Sequence, residues 1–192
     1  AQTHFVPTFV NDPGSQAMPT RLCFILLLCS SSLVNAADWP QWMGPQRDGL
    51  WRETGILERF PKNGPKVLWR APVQGGYSGP AIANGRVYLT DYLRQEGDAS
   101  PSPDKRNVLQ GKERLLCLDE ATGNLLWKHE YDCRYAISYP AGPRATPLVD
   151  GPNVYTLGAE GDLRCQNAET GTLVWQLRLP ERYQCEVPIW GY

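Results

Sequence analysis

Short apolar runs separated by turn residues recur along the second half of the chain. Asn84-Gly85 separates the first two such runs, and an Asn-Gly pair between apolar runs favours a β-hairpin. Asp150-Gly151-Pro152 separates a similar later pair. No stretch shows the sustained 3.6-residue periodicity of a surface helix. The pattern predicts short paired strands at 80–83, 86–90, 146–149 and 153–157.

A repeated segment follows each of these hairpins. Residues 116–127 return as 164–175, with the conserved pieces shifted by 48 positions. Each copy runs from an Asx residue through a Thr-Gly turn to a tryptophan. Because glycine tolerates positive φ and an Asx side chain can hydrogen-bond nearby backbone, each copy is typical of a second hairpin. The repeat consists of Asp119, Thr122, Gly123 and Trp127 in the first copy, and Asn167, Thr170, Gly171 and Trp175 in the second.

Two hairpins in series give a four-stranded unit of the size of a propeller blade. We therefore expect an all-β fold, a partial β-propeller of four-stranded antiparallel blades with about two blades present. The repeated tryptophan is expected to pack on the neighbouring unit. Residues 67–71 are predicted to form an incoming strand. Residues 93–113, rich in charged and small residues, are predicted to form a solvated loop inside the first unit.

The spacing Asp119-x-x-Thr122-Gly123-x-x-x-Trp127 resembles the docking motif of pyrroloquinoline-quinone (PQQ)-like β-propeller repeats. Cys117 and Cys165 stand where that motif usually has alanine, and Asn167 stands where it has aspartate. The stretches 39–49 and 64–70 resemble the start of secreted bacterial members, so the likeness covers roughly residues 38–192. It implies the start of a seven- or eight-bladed propeller. The family includes quinoprotein dehydrogenases and also cofactor-free scaffolds such as the outer-membrane assembly lipoprotein of the BAM complex.

The first part of the chain has the anatomy of an export signal. After an upstream segment, 1–17, residues 18–36 carry a positive charge, an apolar core at 22–28 and a small-residue cleavage site ending at Ala36. The apolar core is shorter than the ~20 residues that cross a bilayer, so no membrane span is expected after cleavage. Lipidation at Cys29 is a minor alternative. We expect a lead-in over 37–64, blades over 65–192, and a location in the periplasm, cell envelope or extracellular space.

Charge and cysteine content narrow the possible roles. A net charge of −1 and a pI near 6.2 argue against a nucleic-acid surface. Four cysteines follow the predicted cleavage site, which allows three disulfide pairings and leaves the pairing open. Cys117 and Cys165 are expected to be buried filler. His129 is expected to share a strand face with Trp127 and to serve packing. The four cysteines are Cys117, Cys133, Cys165 and Cys185.

The resemblance implies a quinone and calcium site only in the dehydrogenase branch of the family. That branch uses adjacent cysteines and calcium carboxylates, which cannot be matched here, so PQQ and calcium are expected only if further blades supply their site. No catalytic residue or metal ligand is assigned. Tyr77 and Arg144, with Tyr139, precede the first strands of the two units and are candidate binding residues at the central funnel.

We therefore expect a binding or assembly scaffold for a protein or small ligand. The alternative is a fragment of a PQQ-dependent alcohol or sugar dehydrogenase. A carbohydrate- or surface-associated sensor also stays open.

Overall fold

Two antiparallel sheets form the body of the protein. The computed structural model describes residues 37–192, and the predicted segments 1–17 and 18–36 lie outside the described residues. The first sheet has the order β1-β2-β3-β4, and β5 pairs with the start of β3 beyond the end of β4. Its strands are β1 (Ala81–Ala83), β2 (Arg86–Glu96), β3 (Asn107–Asp119), β4 (Leu125–Asp132) and β5 (Tyr135–Ile137).

The second sheet repeats this order in a shorter form. Its strands pair as β6-β7-β8-β9, all antiparallel, and one helical turn follows. These elements are β6 (Leu148–Asp150), β7 (Asn153–Leu157), β8 (Asp162–Asn167), β9 (Leu173–Arg178) and α1 (Leu179–Tyr183). The all-β fold and the four-stranded antiparallel units expected from the sequence are confirmed. Among residues 37–192, no helix has the length and apolarity needed to span a bilayer.

The predicted solvated loop at 93–113 is wrong. Strand β2 continues to Glu96 and β3 begins at Asn107, so the two strands form a long arm and the connection is confined to 97–106. Polar residues can occupy this arm because alternate side chains of a strand point to opposite faces. Leu109, Glu113 and Leu115 of β3 are buried, whereas Gln110 is exposed.

The incoming strand predicted at 67–71 is also absent, because these residues are not paired in either sheet. Trp69 nevertheless makes the contact expected of a repeat tryptophan. Its indole N–H donates to the Glu120 carbonyl at 2.7 Å, and its ring covers Gly123. The packing of this tryptophan therefore does not depend on strand pairing.

The two Thr-Gly turns have the same geometry despite their different Asx residues. In the first, Asp119 Oδ1 accepts from the Thr122 backbone N–H at 2.8 Å and from its hydroxyl at 2.7 Å. In the second, Asn167 Oδ1 accepts the same two bonds from Thr170, at 2.9 and 3.1 Å. Only an acceptor oxygen is needed, and both Asp and Asn supply one.

Each turn glycine packs against a tryptophan from earlier in the chain. Gly123 and Gly171 have φ of +72° and +73°, a region that favours glycine. Trp127 covers Gly171 so closely that a Cβ there would lie 2.5 Å from the indole ring. Its N–H donates to the Ala168 carbonyl at 3.3 Å, matching the Trp69 contact one unit earlier. The expected packing of Trp127 on the next unit is confirmed.

Two apolar clusters fill the space between and beside the sheets. One combines residues of both sheets: Ala81, Ala83, Tyr88, Leu115, Cys117, Val149, Val154 and Ala168. The other lies beside β5, where the Tyr92 and Tyr135 rings stack with centroids 3.9 Å apart. Cys117 and Cys165 are both buried, as expected, and burial raises the pKa of the Cys117 thiol to about 11. No disulfide joins any two of the four cysteines in 37–192.

The lead-in segment lies along the free edge of the first strand of each sheet. Trp39 exchanges two backbone hydrogen bonds with Ile82 of β1, at 2.8 and 3.0 Å. The Pro40 carbonyl accepts from Val149 of β6 at 2.8 Å. Residues 39–40 thus cover backbone groups that β1 and β6 would otherwise expose.

Candidate functional site

The segments that lead into the two sheets cross each other and make direct backbone contact. The N–H groups of Tyr77 and Ser78 both donate to the Pro143 carbonyl, at 2.8 and 3.1 Å. Gly75 and Gly142 lie at the crossing, and a Cβ on either one would overlap the backbone of the other segment. Two glycines are therefore required where the segments meet.

This crossing brings together the candidate binding residues. The Arg144 guanidinium lies over the Tyr77 ring, 5.1 Å from its centroid, within the range of a cation–π contact. Arg144 also donates to the carbonyls of Gly142 and Tyr139. We call Tyr77, Arg144 and Tyr139, whose backbone carbonyl Arg144 contacts, the Tyr–Arg patch. Tyr77 is 51% exposed and Tyr139 40% exposed, so the patch faces solvent.

The charge of this patch comes from one arginine. Burial lowers the pKa of Arg144, but an arginine starts so high that the guanidinium stays protonated. Within residues 37–192, no carboxylate pairs with it at ion-pair distance. A half-buried guanidinium with two carbonyl contacts keeps further donors, and its fork geometry suits a carboxylate.

A buried ion pair fixes one of the two crossing segments. Asp91 of β2 is 1% exposed and accepts from Arg114 of β3 at 2.7 and 2.6 Å. Its second oxygen also accepts from the Gln74 backbone N–H at 2.7 Å. The hydrogen bond to Asp91 raises the pKa of Arg114. The first sheet thereby holds the segment that carries Tyr77.

An aromatic cleft lies between the lead-in segment and the first strand of the first sheet. The Trp39 and Trp51 rings stack with centroids 5.2 Å apart, and Trp42 is 70% exposed. The cleft has a volume of about 320 Å³ and a largely apolar lining that includes these tryptophans, Pro80 and Ile82. Gly79 and Thr146 also line it, two residues beyond Tyr77 and Arg144 in their segments.

The sequence places residues 39–49 in the lead-in and likens them to the start of secreted family members, but it does not predict this aromatic cleft. The unusual density of tryptophan there was the available signal. Gly44 permits the arrangement, because a Cβ at that position would lie 2.8 Å from the Trp39 ring. Arg47 closes the turn by donating to Gln41 Oε1 at 2.8 Å.

A second polar cluster, formed around Glu113, lies between the sheets. Glu113 is 3% exposed and accepts from the hydroxyls of Tyr131 and Tyr135, the latter at 2.5 Å. It also accepts from the Ala159 backbone N–H of the second sheet, at 2.8 Å. Burial raises the pKa of Glu113, while these three donors oppose the rise. Gly158 leaves room for the carboxyl, since a Cβ there would overlap it.

His129 faces the second sheet, on the same side as Trp127, as expected. Its Nε2 lies 3.5 Å from an Arg164 nitrogen, and the Arg164 guanidinium stacks on Tyr131 at 3.4 Å. Burial and the arginine charge lower the pKa of His129, so the ring is neutral near neutral pH. These contacts agree with a packing role.

The described residues contain no cluster of carboxylates of the kind that calcium sites use. Across 37–192, no group of three or more His, Cys, Asp or Glu side chains is placed to hold a metal ion. The Asx residues of the repeat, Asp119 and Asn167, use their side-chain oxygens within the turns.

Comparison with known proteins identifies the repeat. Residues 111–188 match the family model described as outer membrane protein assembly factor BamB. These residues are therefore similar to PQQ-like repeats of that family. The matched PQQ-like segment starts in β3, continues through the Trp127 hairpin and includes the whole second sheet.

Two further comparisons complete this result. A europium-containing methanol dehydrogenase is among the solved structures that match, with 17% identity and a TM-score of 0.28. The match covers 54% of this chain and 25% of that one, so the chain spans about a quarter of the enzyme's length. Comparison with curated proteins gives no match.

Proposed function

We propose that this chain is part of an exported β-propeller repeat protein that acts as a binding or assembly scaffold. The matching family is described as an outer-membrane assembly factor, which supports a role in assembly and a place in the cell envelope. The proposed signal segment 18–36 supports export as well.

The observation that carries this proposal is the Tyr–Arg patch. Tyr77 and Arg144 lie 67 positions apart in sequence, yet the crossing of their segments places the guanidinium over the ring. Exposed tyrosines beside an arginine are typical of protein-binding surfaces, because they combine a rigid contact area with a charged donor.

The chemistry of the surface suggests the class of partner. The arginine suits a carboxylate, and the aromatic cleft that begins at Gly79 and Thr146 suits apolar side chains. We therefore propose a partner segment that carries an acidic group next to apolar residues. The patch would fix the acidic group, and the cleft would cover the apolar part.

Site-specific photo-crosslinking in the intact cell envelope tests this proposal. A photoreactive phenylalanine derivative would replace Tyr77 in the full chain. Tyr183 provides the matched control, because it is 65% exposed but lies on α1, after the last strand of the second sheet. We expect a discrete crosslinked product from position 77 and none from position 183.

The Arg144→Gln variant then tests whether the guanidinium contributes to binding of the partner. Arg134→Gln is its control, since Arg134 is exposed and lies outside the patch. Loss of the position-77 product by at least about tenfold in Arg144→Gln alone would support the proposal, since a charged hydrogen bond to a carboxylate contributes about 1.5–3 kcal/mol. Equal products from positions 77 and 183, or no effect of Arg144→Gln, would contradict it.

The quinoprotein alternative makes a different prediction. A fragment of a PQQ-dependent dehydrogenase would take its quinone and calcium ligands from further blades, so the test needs the whole natural protein. Titration with PQQ and calcium, followed by tryptophan fluorescence, separates the two functions. A saturable signal with one quinone bound per chain favours the dehydrogenase, and its absence favours the scaffold.

A further inference from the structure

A small cavity lies between the two sheets beside the Glu113 cluster. Its volume is about 10 Å³. That is close to the ~10–15 Å³ that one water molecule needs by this measure. The lining is mixed, with Leu115, Pro143 and Leu157 on its apolar part. Its polar part comes from both sheets: Thr90, Glu113, His129, Tyr131, Thr156 and Gln166.

Gln166 of β8 has an unsatisfied hydrogen-bonding group at this cavity. The residue is 1% exposed, and its Oε1 has no hydrogen-bond partner among the described residues. Buried polar atoms of native proteins nearly always have a partner, either a protein group or an ordered water molecule. The cavity is too small for any ligand larger than water.

We propose that this cavity holds one ordered water molecule, which hydrogen-bonds the Gln166 amide and joins the second sheet to polar groups of the first. The site differs from the Tyr–Arg patch and does not depend on the proposed function. Its ligand class is water alone, held as a structural bridge between consecutive repeats.

The lining offers the number of partners that a buried water requires. Buried waters make about three hydrogen bonds, and three first-sheet residues with polar side chains, Thr90, Glu113 and His129, line the cavity together with Gln166. A water molecule can hydrogen-bond either orientation of the Gln166 amide, because water both donates and accepts.

The geometry around Gly158 makes collapse of the cavity difficult. Gly158 lines it, and the absent side chain leaves space that Glu113 and Tyr131 occupy. Glu113 is fixed by its three donors, including the Ala159 N–H of the second sheet. Of these three bonds, the one from the Ala159 N–H joins Glu113 to the second sheet.

A crystal structure of the full chain at high resolution tests the proposal directly. We expect a single water peak within about 2.7–3.2 Å of the Gln166 amide, the usual hydrogen-bond distance. In Gln166→Met, which keeps the length of the side chain and removes its polar end, the peak should be lost. Gln176→Met is the matched control, because Gln176 is exposed on β9, and it should keep the peak.

A solution measurement covers the case in which Gln166→Met does not fold. Nuclear Overhauser effects between the Gln166 side-chain amide protons and water in the unaltered protein should show a long-lived water. A dry cavity in the crystal with no such effect in solution would overturn the proposal. So would a water peak that persists unchanged in Gln166→Met.

Discussion

At the scale of single residues, the repeat depends on an acceptor oxygen rather than on charge. Asp119 and Asn167 make the same pair of bonds to the threonine three residues later. The threonine bonds lower the pKa of Asp119, but no basic side chain contributes to that shift. The departure of Asn167 from the usual aspartate therefore leaves the turn intact.

Exchange of the turn residue tests this equivalence. Asp119→Asn should leave the melting temperature unchanged, because Asn supplies the same oxygen to the same donors. Asp119→Ala should lower it, since the Thr122 N–H and hydroxyl lose their acceptor. Thermal unfolding followed by circular dichroism checks both variants. An equal loss in Asp119→Asn and Asp119→Ala would show that the charge matters.

At the scale of elements, Glu113 connects three strands and a turn. It lies on β3, its tyrosine donors lie on β4 and β5, and Ala159 lies between β7 and β8. It also lines the proposed water site. This one side chain therefore contributes to the joining of the two sheets.

Removal of the Glu113 carboxyl should destabilise the fold strongly. Glu113→Ala leaves two hydroxyls and one N–H without an acceptor, which should cost about 3 kcal/mol of unfolding free energy. The control Glu96→Ala, at an exposed position on β2, should change it by less than about 0.5 kcal/mol. Urea denaturation measures both. Similar losses of unfolding free energy in the two variants would contradict the proposed role of Glu113 in joining the two sheets.

The raised pKa of Glu113 also predicts a pH dependence. The folded protein holds this proton more tightly than the unfolded chain does, so the carboxyl's contribution is complete below the unfolded pKa, near 4.5. It is lost as pH rises through the folded-state pKa. Glu113→Gln, which imitates the protonated form, should lack this loss. Parallel pH profiles for the two proteins would contradict the expected direction.

The sequence was enough to predict the short hairpins but not the long pairing of β2 with β3. Turn residues and apolar runs were enough for the hairpins, because those signals are local. The arm of β2 and β3 was missed because its polar residues resemble a loop. Glu113 is buried there only because Tyr131, Tyr135 and Ala159 supply donors from other parts of the chain.

For the candidate site, the sequence likewise indicates single residues but not the contacts between them. Tyr77 and Arg144 could be chosen from their positions before the first strands. Their contact depends on the crossing of Gly75 with Gly142, which forms only when the sheets pack. The aromatic cleft likewise needs Trp39 to pair with Ile82, at the edge of a strand 43 positions away.

At the scale of the whole described molecule, one tryptophan contact is made twice. Trp69 covers Gly123, and Trp127 covers Gly171. Trp175 occupies the same place in the second unit and is 42% exposed. The central claim of this account is that the two sheets are consecutive repeats joined by the docking of Trp127 on Gly171.

The most direct test compares Gly171→Ala with Gly151→Ala. Both glycines have positive φ, +73° and +54°, so both substitutions should cost about 1–2 kcal/mol of unfolding free energy. Only Gly171→Ala also meets a neighbour, since Trp127 lies 2.5 Å from the added Cβ and nothing lies within 4 Å at Gly151. Overpacking should add about 1–3 kcal/mol at Gly171.

The same comparison in a Trp127→Leu background completes this measurement. Once the indole is gone, the free-energy cost of Gly171→Ala should shrink toward that of Gly151→Ala. Equal costs for the two glycines in the unaltered protein, or an extra cost that Trp127→Leu leaves unchanged, would contradict the docking of consecutive repeats.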